Sequence, residues 1–113
     1  MNLTATYAAE FAQATEAGAV DPHVTNTGGG CTALEALLGD HRILATNGDA
    51  CLISADDLAE MLEDGDAPEW YVGIYDTNND EGDIQIAEGF GDDFVTALAE
   101  ARESLKRGDF VAD

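Results

Sequence analysis

The chain has 113 residues, 45% of them hydrophobic, and sets 24 Asp and Glu against four Lys and Arg, for a formal net charge of −20 and a pI near 4.1. That length fits one domain able to bury about two-thirds of the surface its unfolded chain exposes, and the apolar content is too high for a disordered acidic tail. The charge excludes a domain that grips nucleic-acid phosphates or docks by charge on an anionic membrane, and no apolar run approaches the roughly 20 residues of a membrane span.

Residues Met1 to Tyr7 lack the basic region of a signal peptide, so a soluble, cytoplasmic protein is expected. The first helix is expected over Leu3, Tyr7, Phe11 and Ala14, which fall on one face at helical spacing, with Gly18 as its stop. Strand-like stretches follow: His23 to Thr27, Cys31 to Leu38 beyond three glycines, Arg42 to Thr46 after a Gly39-Asp40 turn, and Cys51 to Ile53 after Asn47-Gly48-Asp49. Leu34, Leu37 and Leu38 suit a short helix as well as a strand, and the two hairpin signals that follow favour the strand.

A second helix opens at Ser54, with Asp57 three residues on in a variant of the capping box. It carries Leu58, Met61 and Leu62 as its stripe and ends at Gly65. Trp70 to Tyr75 and Ile84 to Glu88 pair across a polar turn at Thr77 to Asp83. On the first of these strands Trp70, Val72 and Ile74 share one face and Tyr71, Gly73 and Tyr75 the other. One face is core, and the other can present aromatic anchors, although packing against a helix is the commoner use of such residues. The third helix starts near Gly91-Asp92-Asp93, with Phe94, Leu98, Ala101 and Leu105 on one side and Arg102, Lys106 and Arg107 in its last turns. The sum is a single α+β domain over residues 1–113. It has three helices and a mostly antiparallel sheet of about four or five strands, covered by helices on one face, with helical elements at both ends.

Several motifs invite chemistry and fall short of it. The run Asp76 to Glu88 resembles a calcium loop, but placing Gly82 at its sixth position puts Thr77 where Asp is required, and the flanks read as strands. Gly28-Gly29-Gly30 lacks the Lys-Ser/Thr of a phosphate loop. His23, Cys31, His41 and Cys51 lack the close pair that anchors a zinc site, and nothing brings a histidine to Cys31 as the base of a nucleophile. With no export signal, Cys31 and Cys51 read as two buried thiols in preference to a bridge. Asp56-Asp57 and Asp92-Asp93 sit at helix starts, where capping and the helix dipole explain them. No catalytic residue, metal or cofactor is expected.

The acids are unevenly placed. Sixteen of the 24 lie between Asp40 and Asp93, where Arg42 is the only basic residue. The densest group is Asp56, Asp57, Glu60, Glu63 and Asp64 on the second helix, followed by Asp66, then Asp76, Asp80, Glu81 and Asp83 around the hairpin. Carboxylates three or four apart on a helix stand roughly 5–6 Å apart at Cβ, a spacing that can imitate a row of phosphates. Acidity spread over a whole proteome for high salt, or acidity for solubility alone, is the alternative. It would decorate every face, whereas both end helices are less acidic.

In size, acidity and α+β plan the chain resembles the small anti-restriction and anti-CRISPR proteins of phages and mobile elements, some of which mimic DNA. The stretch Thr27-Gly-Gly-Gly-Cys-Thr-Ala-Leu34 resembles segments of small proteins of actinobacteria and their phages. Neither resemblance carries a functional residue across. The first implies an inhibitor that occupies the basic cleft of a host nucleic-acid enzyme, and the ten acids named above are the expected contact residues. The partner is then a basic protein, with neither nucleic acid nor membrane bound directly.

Overall fold

Alternation of apolar and polar residues builds the centre of the molecule. In the computed structural model, which describes residues 3–28, 31–39, 41–48, 51–66, 68–76 and 84–107, five strands form one antiparallel sheet in sequence order. They are β1 (Val20–Gly28), β2 (Cys31–Leu38), β3 (His41–Thr46), β4 (Trp70–Asp76) and β5 (Ile84–Gly91). Leu34, Ala45, Val72 and Gly89 stand opposite one another across β2 to β5, and Ala36, Ile43, Ile74 and Ala87 form the next row. Both rows are buried, because two helices cover that face. One is α2 (Ala8–Glu16), packed on β1, and the other is α4 (Phe94–Arg107), packed on β5 and β4. Trp70 lies between Tyr7 and Phe94 in edge-on contact, with ring centroids 5.7 and 5.6 Å away.

The three expected helices are present, and residues 31–38 are a strand, as the hairpin signals require. Residues 51–53, expected as a strand, are not one, and two boundaries differ. The first helix splits into a single turn, α1 (Leu3–Thr6), and α2, because Tyr7 leaves helical geometry at φ −108° and ψ 26°. Its ring enters the core, as its place on the apolar stripe implies, and its hydroxyl donates to the Ile53 carbonyl at 2.6 Å, a contact that helical periodicity does not foresee. Strand β1 starts at Val20, ahead of His23, through a bulge where Asp21 takes φ 55°. Gly29, Gly30, Asp40, Asp49 and the Thr77 to Asp83 turn lie outside the described residues.

Helix α4 approaches β5 through an all-backbone contact. A Cβ built at Gly89 falls 2.3 Å from both the Ala101 nitrogen and the Ala97 oxygen, so only glycine lets the helix lie this close. Its start is fixed by Asp93, whose carboxylate accepts from the Thr96 amide at 2.7 Å. That bond holds the Asp93 carboxyl below the usual carboxylate range.

The cysteines are a correction. Cys31 and Cys51 form a disulfide, not a pair of buried thiols. The Leu52 amide bonds to the Thr32 carbonyl at 2.8 Å, so residues 51–53 run beside the start of β2 and the two Cα atoms come within 5.0 Å. Spacing along the chain gives no hint of that pairing. A bridge over this separation stabilises by about 3 kcal/mol through the unfolded state. The double variant Cys31→Ser/Cys51→Ser is therefore expected to melt roughly 10–20 °C lower by calorimetry, with no further loss on adding reductant.

Candidate functional site

The second long helix, α3 (Ala55–Glu63), leaves the sheet from a firmly held base. Beyond the disulfide and the Leu52–Thr32 bond, the buried Asn47 side chain accepts from the Ile53 amide at 2.8 Å and donates to the Tyr7 hydroxyl at 3.0 Å. The Tyr7 hydroxyl in turn holds Ile53. Burial raises the Tyr7 pKa, the bond from Asn47 opposing it, so this network stays neutral. Ser54 caps the helix by accepting the Asp57 amide at 3.3 Å. At the far end Gly65, at φ 81°, closes a Schellman turn in which the Asp66 amide reaches the Met61 carbonyl at 2.9 Å and the Gly65 amide reaches Leu62.

Successive residues turn by about 100° on a helix. On that rule Glu63, Asp56, Glu60, Asp64 and Asp57 occupy one continuous arc, with Leu58 and Leu62 on the opposite side. All five carboxylates are exposed, as is Asp66, and among the described residues none of the six has an ion pair. The described cations lie on other elements: Arg42 on β3, and Arg102, Lys106 and Arg107 on α4.

The expected contact residues do not form one cluster. Asp76 closes β4, six residues from Trp70 and so roughly 20 Å along the strand from the end that receives α3. It neighbours His41 on β3. Asp80, Glu81 and Asp83 lie outside the described residues.

The apolar side of α3 is only half used. None of its nine residues is buried; Leu58 packs against the core, while Leu62 is 57% exposed. Beside these two leucines is a groove of about 160 Å³, lined also by Thr6, Tyr7, Glu10, Asn47, Pro68 and Trp70. Local pattern carries no sign of it, because Leu62 reads as a core residue, Asn47 as a turn former and Tyr7 as one member of a helical stripe.

The uncovered face of the sheet is a second surface, and its polar groups are occupied. Tyr71 and Tyr75 do face away from the helices, as alternation requires, but they lie down on the sheet over Gly73. The Tyr71 hydroxyl accepts from Gln85, donates to Glu88 at 3.3 Å, and its ring tilts against Phe90. Arg42 sits over the Tyr75 ring and pairs with Glu35, which also accepts from His23 Nε2 at 2.6 Å.

The His23 Nδ1–H donates to the Asp21 carbonyl at 2.7 Å. That bond, then the bond and charge of Glu35, raise the His23 pKa against the opposing effect of burial. A raised folded pKa gives stability that is full below the unfolded value near ~6.5 and is lost as pH rises through the folded value. His23→Gln is therefore expected to lower the urea midpoint at about pH 5.5 and to leave it nearly unchanged at about pH 8.5. With His23 largely solvated, the difference is small.

The disulfide joins two members of the His23, Cys31, His41 and Cys51 set to each other, so in this form neither sulfur is free to bind zinc or act as a nucleophile. Among the described residues, no helix is long and apolar enough to cross a membrane. No protein-family model matches the chain, and no curated protein or solved structure is significantly similar to it.

Proposed function

We propose that this protein is a non-catalytic binding module that uses the acidic arc of α3 to engage a basic surface on another protein, in its specific form by imitating nucleic acid and blocking a basic cleft. The observation that carries the reading is the arc itself: five exposed carboxylates on one side of one helix, unpaired among the described residues, on a base held by a buried polar network. Helical neighbours at i+3 and i+4 put the Cβ atoms that carry these charges roughly 5–6 Å apart. A preformed row of this kind loses little conformational freedom on binding and attracts a cationic partner from a distance. Asp76 then adds to the field from the far end of the sheet and does not continue the row.

An inhibitor of a nucleic-acid enzyme acts in the cytoplasm, where thiols are kept reduced, whereas disulfides persist in oxidising compartments. The binding test is therefore run with and without reductant. Immobilised protein is expected to retain basic nucleic-acid-binding proteins, to release them as salt rises, and to lose them to added duplex DNA. A partner that holds the protein and duplex DNA together refutes the imitation of nucleic acid. Retention that salt does not weaken refutes the acidic arc as the binding surface.

A further inference from the structure

The groove beside α3 says more about the partner than its charge does. It is open to solvent on the Leu62 side, its floor is the buried Tyr7, Asn47 and Trp70, and its walls are mostly apolar: Leu58, Leu62 and Pro68. At about 160 Å³ it is close to the ~150 Å³ apolar cavity that takes up benzene, so it holds one large apolar side chain. The space is apolar, yet the charge around it has one sign. Glu10 lines it from α2, and the exposed Glu69 stands between Pro68 and Trp70. Asp57 and Glu63 bound the apolar side of α3 on either edge by the helical rotation just described.

We infer that this groove seats one large apolar side chain from a partner segment whose flanking residues are lysine or arginine. Charge complementarity selects that occupant. A neutral apolar segment gains nothing from Glu10, Glu69 and the edge acids, and an acidic one is repelled, whereas flanking cations reach the carboxylates while the apolar residue fills the space. The inference rests on the acidic-arc reading and narrows it: the partner offers a basic segment with an apolar anchor, and charge alone is not sufficient for recognition.

Trp70 is the only tryptophan in the chain and lines the groove, so its emission reports occupancy directly. The probes are two lysine-rich peptides of equal charge, one all lysine and one with a central leucine. The leucine peptide is expected to bind about tenfold tighter or more and to shift the Trp70 emission, as burial of one leucine side chain implies. Leu62→Ser, at a position exposed enough to leave the fold intact, is expected to abolish this preference and leave the all-lysine affinity unchanged. Equal affinity for the two peptides, or a preference that survives Leu62→Ser, overturns the groove while leaving the acidic arc standing. Failure of both peptides to bind overturns the groove and the arc together.

Discussion

Reversal of Glu60, Glu63, Asp64 and Asp66 to lysine is expected to slow association with a basic partner about 10–10³-fold at low salt, with no loss of thermal stability. The four positions are chosen to separate function from folding. All are exposed, and none accepts a side-chain hydrogen bond among the described residues. Three of them occupy the last turn of α3 or its cap, where the helix dipole prefers cations by about 0.3–1 kcal/mol each. Asp66 contributes its backbone amide, not its side chain, to the Schellman turn. Asp56 and Asp57 are left in place because they complement the N-terminal end of the same helix, beside the Ser54 cap. The melting temperature is thus expected to hold or rise as self-repulsion falls. Stopped-flow association and a calorimetric melt on the same sample check both halves. Unchanged association rates would remove α3 from the binding surface.

A single methyl group is expected to cost about as much stability as loss of the disulfide. Gly89→Ala places a Cβ 2.3 Å from two backbone atoms of α4, and backbone in the middle of a helix cannot swing aside. Helix and sheet must separate, which opens the layer of Ala97, Ala101, Ala87 and Val72 behind the contact. Overpacking of this kind, here against two backbone atoms at once, costs about 3 kcal/mol, roughly 10–20 °C in melting temperature, a large share of a small domain's total stability. Gly73→Ala is the control. The added Cβ there meets the Gln85 amide at 3.1 Å, a Tyr75 ring carbon at 3.1 Å and the Tyr71 hydroxyl at 3.3 Å, all side-chain atoms on an open face. They can give, and alanine is favoured over glycine in a strand by roughly 0.5–1 kcal/mol, so that variant is expected to be near neutral. Urea denaturation of both variants tests the contrast. A Gly89→Ala protein as stable as the parent would mean that α4 does not rest on β5 as closely as described.

Local chemistry made much of the fold legible. Ser54 with Asp57 and Gly65 marks both ends of α3, and Asp93 and Gly91 bracket the start of α4. Alternation from Trp70 to Tyr75 sorts core from open face residue by residue. Each of these signals rests on neighbours within a few positions, and such contacts survive whatever the rest of the chain does. The acidic arc was legible for the same reason, since helical rotation alone puts Asp56, Asp57, Glu60, Glu63 and Asp64 on one side.

Local pattern alone therefore settles most of the helices and strands, the inward face of the sheet and the charge carried by α3, while the strand expected at residues 51–53 is absent. Long-range packing settles that Cys31 meets Cys51, that Tyr7 breaks the first helix to hold Ile53, that Asp76 stands a strand's length from α3, and that Leu62 overhangs a groove and is not buried in the core. Each of these depends on where distant segments meet. Pair spacing along a chain carries no record of that, because many sheet registers and helix placements satisfy the same local pattern, and packing over the whole core selects one among them.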